Sequence, residues 1–93
     1  MTGDVGARWT IHGSVQGVGF RWFTARAAEA LSVRGWVTNL PDGSVEVVAW
    51  GQPKQIAELE KTIGRGPRGA NVESVEKSDT PHDASECKSF DIK

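Results

Sequence analysis

The chain has 93 residues, the length of one small domain. Hydrophobic residues make up 38% and charged residues 25%, ordinary shares for a folded soluble protein, which excludes disorder along the whole chain. Eleven Lys and Arg against twelve Asp and Glu leave a net charge of −1. The balance removes any bulk electrostatic pull toward nucleic acid or an anionic membrane, so an anion must be recognised by a local site.

Cys87 is the one cysteine, which excludes an intrachain disulfide and a cysteine-cluster metal site and fits a reducing compartment. No apolar run approaches 18 residues, and Met1 to Ala7 lacks the apolar core of a secretory signal. The expectation is a soluble cytoplasmic protein of a single domain, residues 1–93, with 1–7 small, polar and frayed. Nothing in it demands more than a monomer.

From Arg8 the residues alternate, Trp9 and Ile11 to one side and Arg8, Thr10 and His12 to the other, a half-buried strand ending at Gly13. Gly13-Ser14-Val15-Gln16-Gly17-Val18-Gly19 follows, able to take positive φ and to present bare N–H groups. The period then lengthens. Phe20, Phe23, Ala27, Ala30 and Leu31 recur at three- and four-residue steps and predict an amphipathic helix from about Arg21 to Val33, stopped by Gly35. Trp36 to Leu40 reads as a strand, Pro41-Asp42-Gly43-Ser44 as a turn, and Val45 to Trp50 as the partner strand of a hairpin.

Pro53 suits the first position of a second helix whose buried face is Ile56, Leu59 and Ile63 and whose stop is Gly64. Residues 64–69 form a loop, Val72 and Val75 lie in an extended segment reaching about Ser78, and Asp79 to Ser85 is polar loop. Phe90 and Ile92 share one face of a short closing strand. The order β-α-β-β-α-β plus a short extra C-terminal strand predicts an α+β, ferredoxin-like sandwich, with two helices on one face of a mainly antiparallel sheet. Such a fold hosts many activities, so function must come from a site.

A glycine-rich turn between strand and helix is either a plain connection with an exposed arginine or an oxyanion cradle. The helix start leaves backbone N–H groups unpaired and carries partial positive charge, and Arg21 at that junction offers a planar fork for two phosphoryl oxygens. The dinucleotide fingerprint fails because Trp22 stands where its third glycine belongs, and no Gly-Lys-Ser/Thr run follows for a nucleotide-triphosphate loop. Neither NAD nor ATP has support.

Gly13 to Arg21 resembles the signature loop of the acylphosphatase family, G-x-V-Q-G-V-G-F-R, at every specified position. The block from Gly35 to Glu46, Gly-Trp-Val-Thr-Asn-Leu-Pro-Asp-Gly-Ser-Val-Glu, is similar to a second family motif. The resemblance implies that Arg21 binds a phosphoryl group together with loop amides of Val15, Gln16, Gly17, Val18, Gly19, Phe20 and Arg21, and that Asn39 positions the attacking water. It also implies cleavage of carboxyl–phosphate anhydrides of small acyl phosphates, with no metal and no cofactor. Residues 79–93 resemble the family only loosely and end Ile92-Lys93 where many members carry arginine.

The chemistry is consistent with so small a set. Phosphoryl transfer is mostly positioning and charge stabilisation, and N–H donors plus one guanidinium meet that demand. A carboxylate leaving group, whose acid has a pKa of about 4, departs unprotonated, so no general acid is needed. Asn39 can accept from a water proton and donate to a water oxygen, but it is no base, so the substrate's own phosphoryl oxygens are expected to take the proton. Without the resemblance, Asn39 reads as a turn-flanking residue.

Two other classes stay open: a phosphate-binding module without turnover, and an RNA platform on the sheet, which would need exposed aromatics on a basic face. His12 reads as a solvent-facing strand histidine, His82 as a loop residue, and Arg65 and Arg68 as decorations of a solvated loop. Trp9, Trp36 and Trp50 occupy strand positions suited to packing. Trp22 is expected in the core or on the pocket rim, and Cys87 is expected to pack.

Overall fold

The alternation along the first strand holds in the computed structural model, which describes residues 3–80 and 85–93. Ala7, Trp9 and Ile11 are buried, while Arg8, Thr10 and His12 are half-exposed on the opposite face. The elements are β1 (Val5–Ser14), α1 (Phe20–Ala30), β2 (Arg34–Asn39), β3 (Val45–Gly51), α2 (Pro53–Arg65), β4 (Asn71–Ser78) and β5 (Phe90–Ile92). His82 and part of the expected 79–85 loop lie outside the described residues.

The five strands form one sheet in the order β4-β1-β3-β2-β5. β1 and β2 each pair antiparallel with β3, so they run parallel to one another with β3 between them, and β5 joins the far side of β2 in parallel. β4 pairs antiparallel with β1. Two β-α-β units are thereby interleaved, which is the ferredoxin-like arrangement. α1 packs over β2 and β5, α2 over β1, β3 and β4, and the two helices touch. No helix among the described residues is long and apolar enough to cross a membrane.

The core lies between the helices and one sheet face. Trp9, Ile11, Val37, Val45 and Val47 meet Phe20, Ala28, Ile56, Leu59 and Ile63 there. Pro53 is at the helix start as expected, and Ile56, Leu59 and Ile63 are the buried stripe of α2. On the open face Val48 is fully buried in register between Arg8 and Trp36, and Trp50 pairs with Arg34. Glu46, Glu76 and Asp91 share the ladder positions of that face with Arg8 and Arg34, so acids and bases interleave there.

Four expectations are corrected. Residues 5–7 are not frayed: Val5, Gly6 and Ala7 pair with Gly51, Trp50 and Ala49, and the Asp4 carboxylate lies 3.3 Å from the Arg34 guanidinium. A partner strand from elsewhere in the chain supplies order that the local glycines conceal.

The first helix is shorter than 21–33 and is not stopped by Gly35. The Ser32 N–H donates to the Glu29 carbonyl at 3.1 Å and the Val33 N–H to the Ala28 carbonyl at 2.9 Å, with Ser32 at φ 58°. Those bonds are a Schellman closure with serine where glycine is usual, and buried Val33 gives it the usual hydrophobic contact. The inward face of α1 is Phe20, Thr24, Ala25 and Ala28, whereas Ala30 is exposed.

The second helix passes Gly64 and ends at Arg65, capped by Gly66 at φ 69° with its N–H on the Thr62 carbonyl, so Arg65 belongs to a helix end, not a loop. β2 begins two residues before Trp36, at Arg34.

Candidate functional site

Strand direction gathers the site. β1, β2 and β5 are mutually parallel, so Ser14, Asn39 and Ile92 finish at one end of the sheet. The turn after β1 starts α1 at that same end. A cavity of about 260 Å³ opens there, lined by Val15, Gly17, Gly19, Phe20, Arg21, Trp22, Asn39 and Ile92.

The turn takes its shape from glycine. Gly17 and Gly19 have φ of 77° and 78°, the left-handed region that a Cβ disfavours. Gly19 caps α1 and brings no side-chain cap to the exposed amides. The first helical bond runs from the Phe23 N–H to the Gly19 carbonyl at 2.9 Å, so the amides before Phe23 have no acceptor one helical turn back. They lie where α1 begins, at its positive pole, a setting that suits an oxyanion.

Val15 and Phe20 are buried, and their side chains anchor the two ends of the turn in the core. The Phe20 ring also meets Phe23, with centroids 6.2 Å apart. Gln16 and Val18 are not among the cavity lining. Val18 packs against the core from its edge. The Gln16 side-chain amide donates to the Leu40 carbonyl and to the Ser44 carbonyl, both at 2.8 Å. It fastens the glycine turn to the β2–β3 hairpin, next to Asn39.

The Arg21 guanidinium donates from Nη1 to the Lys93 carbonyl oxygen at 2.8 Å. That bond uses one of the five N–H donors of a guanidinium that lines the cavity, leaving others for a ligand. The Lys93 N–H in turn donates to the Val37 carbonyl at 2.8 Å, so β5 links Arg21 to β2.

The hairpin carrying Asn39 has its own lock. The Asp42 carboxylate accepts from the Ser44 N–H at 3.0 Å and from the Ser44 hydroxyl at 2.5 Å. Those bonds from Ser44, first the hydroxyl and then the amide, hold the Asp42 carboxyl below the ordinary aspartate value of 3.8, with the His12 charge adding to the effect. His12 itself lies outside the cavity lining, with Nε2 at 2.6 Å from the Glu76 carboxylate.

The residue pattern singled out the turn and Arg21, the family resemblance added Asn39, and the cavity brings them together. Neither signalled Ile92 or the Lys93 carbonyl, because they arrive with β5 and the residue after it, far along the chain. Trp22 is on the rim, 60% exposed, and Cys87 is half-buried. The role of Gln16 was expected of its backbone N–H, while its side chain makes the structural contact.

The acylphosphatase family model matches residues 7–92. The chain is 50% identical over 74 residues to an acylphosphatase of Synechococcus sp. (strain CC9902), a match that covers 80% of this chain and 63% of that protein. It is 44% identical over 85 residues to an acylphosphatase of Koribacter versatilis (strain Ellin345), covering 91% and 76%. Among solved structures, an acylphosphatase from Coxiella burnetii superposes with a TM-score of 0.89 at 33% identity, over 97% of this chain and 93% of that one.

Proposed function

The chain belongs to the acylphosphatase family, hydrolases of the acyl phosphate bond, and from that premise we propose that it cleaves the carboxyl–phosphate anhydride of small acyl phosphates in the cavity at the start of α1. The amides of residues 15–21 and the Arg21 guanidinium receive the phosphoryl oxygens. Asn39 orients a water, accepting one of its protons and donating to its oxygen, so that a lone pair lies in line with phosphorus. The water oxygen bonds to phosphorus as the bond from phosphorus to the acyl oxygen breaks. The carboxylate leaves without a proton, and the proton of the water passes to a phosphoryl oxygen.

The observation that carries this reading is the meeting of Arg21, Asn39 and the left-handed glycine turn in one cavity. Charge spreads over the equatorial oxygens in the transition state, and fixed donors stabilise it without reorganising. The Arg21 contact with the Lys93 carbonyl supports a pre-set guanidinium, since a fork already held loses less freedom on binding.

The test is hydrolysis of benzoyl phosphate by Arg21→Gln and Asn39→Ala, with thermal melts to confirm folding. Arg21→Gln is expected to cost about 3 kcal/mol of transition-state stabilisation. Asn39→Ala is expected to lower kcat more than it raises KM. Near-normal rates in either folded variant would remove that residue from the site. We assign the same chain a cytoplasmic, monomeric and metal-independent life. Full activity in excess chelator and a monomer-sized elution peak are the corresponding expectations.

A further inference from the structure

We propose that Trp22 and Ile92 form a seat for the acyl group, so that this site selects acyl phosphates whose acyl part is apolar and planar. The inference rests on the phosphoryl site proposed above and names the substrate class that the same cavity favours.

Val5, Trp22 and Ile92 are the large hydrophobic side chains left exposed among the described residues, and two of the three line this one cavity. Trp22 is 60% and Ile92 48% exposed. They come from unrelated elements, the first turn of α1 and the last residue of β5. A phosphoryl group needs N–H donors and positive charge, which the glycine turn and Arg21 offer. It has no use for an indole and a branched aliphatic side chain beside them. An acyl group does, because it projects from the phosphoryl group toward the mouth, where burial of apolar surface lowers the free energy of the complex.

The indole is also held in place. The Arg26 guanidinium lies over the Trp22 ring, 4.9 Å from its centroid, a cation–π contact one helical turn along α1. A ring fixed before binding loses less rotamer freedom when a flat group stacks on it. The cavity of about 260 Å³ has room for a phosphoryl group with a small acyl group beside it. A planar acyl group is favoured because it can stack on the indole, on the face that Arg26 does not cover, with Ile92 lining the same cavity.

The experiment compares the affinities of two stable phosphonates, methylphosphonate and benzylphosphonate, by calorimetry, on the wild-type chain and on Trp22→Ala, Trp22→Phe and Ile92→Ala. Acetyl phosphate and benzoyl phosphate turnover is measured in parallel. The wild type is expected to bind benzylphosphonate more tightly than methylphosphonate. Trp22→Ala should cut that ratio about tenfold, Ile92→Ala about threefold, and Trp22→Phe should restore most of it. The kcat/KM ratio of benzoyl to acetyl phosphate should fall in step.

No preference in the wild type, or a ratio that survives both alanine substitutions within twofold, overturns the seat while leaving the phosphoryl site standing. Binding of both phosphonates without turnover of either acyl phosphate overturns the proposed hydrolysis, and the ratio still decides the seat. If neither phosphonate binds, the cradle and the seat fall together.

Discussion

The side-chain amide of Gln16 donates to the Leu40 carbonyl at 2.8 Å, and with its second N–H reaches the Ser44 carbonyl at the same distance, so one residue of the glycine turn closes both ends of the turn that follows Asn39. Replacing Gln16 by Ala removes two hydrogen bonds and leaves each carbonyl with its backbone donor alone, the Gly43 N–H on Leu40 and the Leu40 N–H on Ser44. The expected cost is about 2 kcal/mol of stability. The larger effect should be on turnover: kcat falls about tenfold or more because Asn39 loses its fixed distance from the cradle, while inorganic phosphate inhibits nearly as before. Gln16→Glu should be worse than Ala, since a carboxylate facing two carbonyl oxygens is repelled. Urea melts together with kcat and product-inhibition measurements check this.

Acid should loosen the same hairpin. The Asp42 carboxyl titrates below the ordinary 3.8 because Ser44 donates to its charged form. A depressed folded-state pKa contributes stability that is present above 3.8 and is lost as pH falls through the lower folded value. Asp42→Asn is therefore expected to be less stable than the wild type at neutral pH and to converge with it in acid below that value. Denaturant midpoints at the two pH values read the difference directly, and a gap that persists in acid would exclude the carboxylate as its source.

Two glycines with positive φ should tolerate alanine very differently. A Cβ on Gly35 would sit 1.9 Å from the Val48 carbonyl oxygen, within the β2–β3 pairing, at φ 142°. Gly35→Ala is expected to cost about 3 kcal/mol or more, or to abolish folding. A Cβ on Gly19 meets nothing within 4 Å, so Gly19→Ala should carry only the left-handed penalty of about 1–2 kcal/mol. Its folded variant then reports what the cradle itself requires, through phosphate affinity.

Thr24 offers a stabilising change. It is fully buried on α1, and its hydroxyl has no hydrogen-bond partner among the described residues. Thr24→Val removes the desolvated hydroxyl while conserving shape, and is expected to add about 1 kcal/mol and raise Tm by about 4–8 °C. A lowered Tm would mean that the hydroxyl finds a partner in solution.

Local chemistry was enough to announce the elements. Alternation at Trp9 and Ile11, the three- and four-residue steps of Ile56, Leu59 and Ile63, and Pro53 at a helix start are short-range signals, and each announces its element, though β1 begins earlier, at Val5, and α2 ends later, at Arg65. The turn from Gly13 to Arg21 was legible as a candidate oxyanion cradle for the same reason, whereas Asn39 stood out only through the resemblance to the acylphosphatase family. Helix ends were less so. Ser32 closes α1 in a conformation expected of glycine, since burial of Val33 and two backbone bonds outweigh the modest penalty of a left-handed serine. What only the tertiary structure decided is which distant residues share the site. The parallel pairing of β5 with β2 brings Ile92 to the cavity and the Lys93 carbonyl to Arg21, and no short-range pattern in either segment encodes that pairing. Sheet register is a property of two strands at once, so a contact built on it becomes visible only when both strands are in place.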